Sequence, residues 1–127
     1  PNLLRLLLAT VLDEAEINAV DTAGTPQNKA LQWLAPINMN RITRDQLVQR
    51  YAMAVFYYST YGVVTAYSDA TYIWKNKNRW VSSSHVCQWF GVRCGSDLVV
   101  KELVLPGNQL SGKLPREMRL LSKLDRL

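Results

Sequence analysis

The chain has 127 residues, of which 48 % are hydrophobic and 20 % charged, with only six Gly and five Pro. This composition excludes intrinsic disorder, a collagen-like repeat and a disulfide-dense miniprotein, and it fits a single globular domain. The net charge of +5 is uneven, because residues 1–30 hold two basic and four acidic side chains and the remainder holds thirteen and six. That excess permits a basic surface without predicting a nucleic-acid partner, and no apolar run approaches the ~20 residues of a membrane span.

The single histidine and the two cysteines limit the catalytic chemistry. His85, Cys87 and Cys94 are one protein ligand short of a four-ligand zinc site. The three serines before His85 are too close in sequence to face it as a nucleophile faces its base, and no phosphate-binding glycine motif is present. We therefore expect no metal, no cofactor and no enzymatic activity. An enzyme would require a pocket that converges on His85.

Residues 1–20 form a short amphipathic segment. At 100° per residue one side collects Leu3, Leu4, Leu7, Leu8 and Val11. Three interpretations stay open: a helix docked on the domain or on a partner, the remnant of a signal or membrane anchor, and an interfacial helix over residues 3–12. The docked helix is favoured. If it docks on another protein, its contact residues are Leu4, Leu7 and Leu8.

The next helix is marked at both ends. Residues 21–25 have the composition of a linker, and Thr25 is suited to cap a helix that begins at Pro26, where the missing N–H costs nothing. The helix is expected to run through Leu34, and Pro36 ends it.

The longest predicted helix covers about residues 44–60. Thr43 and Gln46 have the spacing of a capping box, in which each side chain satisfies a backbone N–H of the other. Its aromatic residues are Tyr51, Phe56, Tyr57 and Tyr58. An aromatic stripe at helical spacing is more typical of core than of a ligand site. The basic stretch 75–80 with its terminal Trp80 is similarly more typical of a solvated loop than of a single-stranded nucleic-acid site.

The pattern changes from residue 98 onward. Leu103 and Leu105 alternate as in a short strand, and Glu102 and Val104 are expected to face the other way. Apolar residues then recur with a period of 24, as in the pairs Val100/Leu124 and Leu103/Leu127. This period is typical of leucine-rich repeats. The alternative is a hairpin that turns at residues 106–108, which does not explain the apolar positions further on.

The residue types of the proposed repeat have physical reasons. Two inward leucines bury too little area to be stable alone, so neighbouring coils must stack. Asn108 carries both a donor and an acceptor for the backbone groups left unpaired where the chain leaves the strand. Gly112 permits a tight bend, and Pro115 suits a position that donates no ladder hydrogen bond.

Two segments carry a resemblance to a known family. Residues 103–127 resemble the plant-type leucine-rich repeat, L-x-L-x-x-N-x-L-x-G-x-[IL]-P, and residues 87–94, CQWFGVRC, resemble the C-x-W-x-G-V-x-C block of its N-terminal cap. Residues 26–34 and 49–60 are similar to caps in leucine-rich repeat proteins of diatoms and related algae. The matching repeat positions are Leu103, Leu105, Asn108, Leu110, Gly112, Leu114 and Pro115.

The resemblance implies an α+β fold, in which a helical cap precedes the first coils of a right-handed solenoid. The expected divisions are an N-terminal segment and linker (1–25), the cap (26–97), and the first repeat with the start of a second (98–127). In the family the two cysteines form a disulfide, which implies that Cys87 and Cys94 pair here. Such a bond is typical of the secretory pathway, the cell exterior or an oxidising organelle lumen.

The function implied by the resemblance is recognition of a protein or peptide on the concave strand face, at Glu102, Val104 and Pro106. Because about three repeats are normally needed for stability, we expect the natural protein to continue past Leu127. Two other functions stay open. One is an accessory subunit of a larger membrane assembly, such as an algal photosynthetic complex, and the other is the ectodomain of a receptor.

Overall fold

The computed structural model describes residues 2–60, 77–105 and 114–125. Four α-helices precede a small antiparallel sheet of two strands, which confirms the α+β class. The α-helices are α1 (Asn2–Ala9), α2 (Glu14–Val20), α3 (Pro26–Leu34) and α4 (Arg44–Thr60), and the strands are β1 (Val92–Cys94) and β2 (Val100–Leu103). Three 3-10 helices cover Met39–Arg41, Val86–Gln88 and Arg116–Leu120. No complete solenoid coil lies within the described residues, because positions 106–113 are outside them.

The amphipathic N-terminal segment is two helices rather than one. The chain breaks after α1, and Asp13 caps α2 by accepting a hydrogen bond from the Glu16 N–H at 2.8 Å. In return the Glu16 carboxylate accepts from the Asp13 N–H at 2.9 Å, which completes a capping box. Two backbone donors that a helix start leaves unpaired are thereby satisfied, so the break is stabilised locally.

The predicted starts of α3 and α4 are confirmed. Thr25 accepts from the Asn28 N–H at 3.0 Å, and Pro26 occupies the first turn. At α4 the Gln46 N–H donates to the Thr43 hydroxyl at 3.2 Å. The return bond predicted for this capping box is replaced, because the Gln46 side-chain oxygen accepts from His85 Nε2 at 2.9 Å and from the Gln49 amide at 3.2 Å. The Gln46 side-chain NH2 group donates to the Leu98 carbonyl at 3.1 Å. This amide therefore ties α4 to the turn between the strands.

Helix α4 is the centre of the molecule, and two hydrophobic clusters pack on its opposite sides. The N-terminal cluster contains Leu4, Leu8, Leu12, Val20, Ala30, Leu34, Leu47, Tyr51, Ala54 and Val55. The C-terminal cluster contains Ala52, Met53, Phe56, Tyr57, Trp80, Val86, Trp89, Val92, Val100, Leu103 and Leu121. Residues 51–57 of α4 are buried around the whole circumference of the helix, and these two clusters provide that cover. The described aromatic residues of α4 are core residues, as predicted.

The sheet closes the C-terminal cluster. Val92 pairs with Leu103 and Arg93 with Glu102, in antiparallel register with an irregularity before Cys94. The 3-10 helix Arg116–Leu120 packs on α4. The sheet and this 3-10 helix therefore share one core with the helical part.

Candidate recognition surfaces

The disulfide joins the helical part to the sheet. Cys87 in the 3-10 helix Val86–Gln88 is bonded to Cys94 at the end of β1, and their Cα atoms are 5.7 Å apart. The pairing implied by the family resemblance is thus confirmed. Because such bonds persist where thiols are kept oxidised, the pair indicates an oxidising compartment.

His85 has a structural position next to this disulfide. Its Nδ1 accepts a hydrogen bond from the Cys87 N–H at 3.0 Å, so it caps the 3-10 helix. The other ring nitrogen then carries the proton and donates to the Gln46 side-chain oxygen at 2.9 Å. Burial, with the nearby Arg50 cation as a smaller cause, lowers the pKa of His85 and favours the neutral ring. With both nitrogens engaged, the ring has no free lone pair for use as a general base.

Gly91, directly before β1, lies in close contact with Val104, directly after β2. Its φ is +79°, and its carbonyl accepts from the Val104 N–H at 2.7 Å. A Cβ at this position would overlap the Val104 carbonyl and lie 2.7 Å from the Leu105 side chain. Only glycine combines this backbone conformation with this contact, which explains the glycine of the cap block.

The predicted strand face is partly formed by the described residues. Leu103 is buried, Leu105 packs against the same cluster, and Glu102 and Val104 are half-buried next to them. Glu102 lies opposite Arg93 of β1, so a cation borders the face. The third predicted position, Pro106, lies outside the described residues.

The structure describes two of the remaining predicted repeat positions, Leu114 and Pro115. Pro115 caps the 3-10 helix Arg116–Leu120 with extended backbone. Leu114, by contrast, has a side chain that is 54 % exposed, so it is not part of the core that the structure describes. Three further predicted positions lie outside the described residues; these are Asn108, Leu110 and Gly112.

A backbone hydrogen bond links the strand to the end of the described chain. The Asp125 N–H donates to the Lys101 carbonyl at 2.9 Å, and the two residues are 24 positions apart. Leu124 packs against the C-terminal cluster, to which Val100, also 24 positions earlier, belongs. The spacing of these contacts equals the period found in the sequence.

The α1 leucines divide between the core and the surface. Leu4 and Leu8 are buried in the N-terminal cluster and Leu7 packs against it, so the helix docks on its own chain. As candidate partner contacts, Leu4 and Leu8 are therefore replaced by Leu3 and Leu6, whose exposed fractions are 73 % and 60 %. The buried leucines belong to one cluster with residues of α2, α3 and α4.

Ion pairs join the N-terminal helices to the 3-10 helix Arg116–Leu120. Arg116 pairs with Asp13, and Arg119 donates to the Glu16 carboxylate at 2.6 Å. The Glu16 side chain is only 3 % exposed, so this pair compensates a buried charge. These bonds connect segments more than one hundred residues apart in the chain.

A second buried carboxylate lies close to Glu16. Glu117 is 1 % exposed and is hydrogen-bonded by Gln27, and one of its oxygens has no partner among the described residues. Burial is the main cause that raises the pKa of Glu117, and the negative charge of Glu16 acts in the same direction. Sequence reasoning missed this group, because no local pattern distinguishes Glu117 from an exposed glutamate.

A groove lies beside the first half of α4, next to Gln46 and Arg50. It has a volume of about 930 Å³ and lies between the end of α3, the first half of α4 and the loops at residues 81–86 and 97–98. Arg50 lines it, with its guanidinium carbon 4.6 Å from the ring centre of Trp33. His85 is also part of the lining, in the capping role described above.

Across the described ranges, no cluster of three or more potential metal-binding side chains occurs, and no helix has the length and apolarity to span a membrane. Comparison with protein-family models, with curated proteins and with solved structures gave no match.

Proposed function

We propose that this chain is the N-terminal cap and first repeat of a leucine-rich repeat protein that recognises a protein or peptide on its strand face. The observation that carries the proposal is the hydrogen bond from the Asp125 N–H to the Lys101 carbonyl. A solenoid coil places each strand beside the strand of the previous coil, so backbone bonds recur at the repeat period. A separation of 24 residues is the period of this sequence.

Packing supports the same proposal. Val100 and Leu124 occupy equivalent positions of successive coils and contact one cluster. The 3-10 helix Arg116–Leu120 follows the strand β2 along the chain, and a strand followed by a short helix is the content of one leucine-rich repeat. Trp89 shares one cluster with Val100 and Leu103 of β2, and the disulfide cysteines pack against that cluster, as expected of an end cap on an apolar coil.

The proposed recognition surface is the half-buried strand face at Glu102 and Val104, extended by Pro106 and by later coils. Recognition requires accessible side chains on a rigid backbone, and Glu102 and Val104 are half-buried and so partly accessible. The backbone of β2 is fixed by pairing with β1 and by Gln49, whose side chain accepts from the Val100 N–H at 2.8 Å. The localisation that fits this function is the cell exterior or the secretory pathway, with an oxidising organelle lumen as the alternative.

Peptides selected on the oxidised chain from a displayed library test the proposal. Glu102→Lys or Val104→Asp should weaken the selected peptides at least about tenfold, because each change places a charge in the contact. Glu14→Lys is the matched control, since Glu14 is exposed on α2 and the charge change is identical. Peptides that bind both strand-face variants with unchanged affinity would contradict the proposal.

A second candidate function follows from α1. Leu3 and Leu6 are three positions apart, so they lie on one side of the helix, and both are exposed. This apolar stripe favours an accessory subunit of a membrane assembly that uses residues 3–12 as a contact. The double substitution Leu3→Gln/Leu6→Gln should abolish co-sedimentation with phosphatidylcholine vesicles. Absence of co-sedimentation by the unsubstituted chain counts against direct membrane contact.

A further inference from the structure

The groove beside α4 contains a cation without a carboxylate partner. Arg50 donates to the Ser84 carbonyl at 2.9 Å and to the Ser82 carbonyl at 2.7 Å, and its guanidinium stacks on Trp33. Carbonyls and aromatic rings leave the formal charge in place, and no carboxylate of the described residues lies within ion-pair distance of Arg50. Two of its five N–H donors are used in these bonds.

The other charged groups of the groove do not neutralise Arg50. Asp97 pairs with Lys123 at 2.6 Å and also accepts from the Val99 N–H, so its charge is already compensated. Arg41, a second cation, is exposed on the rim. Burial lowers the pKa of Arg50, which reflects the cost of holding this charge away from water. The groove is therefore positive around Arg50, and it complements an anion.

Most of the groove wall is apolar. Its apolar lining includes Trp33, Leu34, Ile37, Ile42, Val81 and Leu98. Leu98 is 52 % exposed, in the turn between β1 and β2, and its carbonyl accepts from the Gln46 and Gln49 amides at 3.1 Å each. These bonds hold an apolar side chain at the edge of the groove, where it is free to cover a ligand.

We propose that this groove binds an extended peptide segment in which a carboxylate side chain is flanked by apolar ones. The carboxylate pairs with the remaining N–H donors of Arg50, a geometry in which guanidinium groups bind carboxylates strongly. The apolar neighbours contact Trp33 and Leu98. The volume lies within the range of sites that enclose ligands of several residues' bulk. The groove is distinct from the strand face, so the inference does not rest on the proposed repeat function.

NMR titration of the oxidised, isotope-labelled chain tests the proposal. The probe is the capped peptide acetyl-Ala-Leu-Glu-Leu-Ala-amide, and its control has Gln in place of Glu. We expect the Glu peptide to shift the Trp33 indole resonance and the amides of Val81 and Leu98. The Gln peptide should bind at least about tenfold more weakly, because it keeps the shape and loses the charge.

Two matched leucines provide the protein controls. Leu98→Ser should weaken the Glu peptide severalfold, whereas Leu114→Ser, at a site with nearly the same exposure outside the groove, should leave binding unchanged. Both positions are on the surface, so both variants should fold. Equal affinities for the two peptides, no binding at millimolar peptide, or shifts confined to Glu102 and Val104 would each overturn the proposal.

Discussion

Replacing Gly91 by alanine tests the contact between the cap block and the strand that follows it. The residue has a φ of +79°, which costs an L-residue about 1–2 kcal/mol. The new methyl group also overlaps the Val104 carbonyl, which is backbone and has no rotamer to adopt. The overlap is relieved only if the strands separate, which weakens the Val104 N–H bond to Gly91.

The magnitude is the sum of these effects. Overpacking costs about 1–3 kcal/mol, and the weakened hydrogen bond adds about 1 kcal/mol to the backbone cost. Gly91→Ala should therefore lower the free energy of unfolding by roughly 3–6 kcal/mol. At ~2.1 cal/mol/K per residue, each kcal/mol lowers Tm by about 4 °C in a chain of 127 residues.

Gly24→Ala is the matched control. Gly24 has a φ of +85°, but a Cβ there would meet nothing within 4 Å. It should therefore incur only the backbone cost of about 1–2 kcal/mol. Urea unfolding followed by tryptophan fluorescence measures both variants, and faster hydrogen exchange at the Val104 amide should accompany Gly91→Ala alone. Equal losses of stability in the two variants would refute the steric argument.

Three further predictions concern stability. Cys87→Ser should lower the free energy of unfolding by about 2.5 kcal/mol in the loop-entropy model, which is measured as a lower Tm. A reducing agent should lower the Tm of the unsubstituted chain in the same way and leave the Tm of the variant unchanged. Burial raises the pKa of Glu117 in the folded state. The contribution of Glu117 to the free energy of unfolding is therefore fully present below its unfolded pKa, and it is lost as pH rises through its folded pKa. Glu117→Gln should therefore be more stable than the parent at pH 7 and similar near pH 4, and a constant difference across this range contradicts the assignment. Arg119→Met leaves the buried Glu16 carboxylate unpaired and should cost about 2–4 kcal/mol in urea unfolding, whereas Lys123→Met, whose acidic partner is largely exposed, should cost under ~1 kcal/mol.

The helix starts were predictable because their signals are local. A threonine next to Pro26, and another three residues before Gln46, specify caps that need no distant partner. The same logic applies to Asp13 and Glu16, whose spacing predicts a helix start in the middle of the amphipathic segment. The leucine stripe continues across this position, so the hydrophobic pattern alone does not show the break.

The roles of the polar side chains were not predictable, because each depends on a residue distant in sequence. Nothing near Gln46 indicates that its amide binds the Leu98 carbonyl, and nothing near Arg50 indicates that Trp33 stacks on it. His85 is a loop residue by pattern, yet its ring is fixed by a helix 39 positions earlier. The hydrogen bond between Lys101 and Asp125 has the spacing of 24 found in the sequence for Val100/Leu124, although the sequence did not single out these two residues.

The ion pairs between α2 and the 3-10 helix Arg116–Leu120 have a consequence for synthesis on the ribosome. Glu16 is made 103 residues before Arg119, and at ~5–20 residues per second the interval is roughly 5–20 s. During that time the nascent α2 has no arginine to compensate its inward carboxylate. The Arg119–Glu16 pair therefore forms only after the 3-10 helix Arg116–Leu120 has been made, so the packing of α2 is completed late in synthesis.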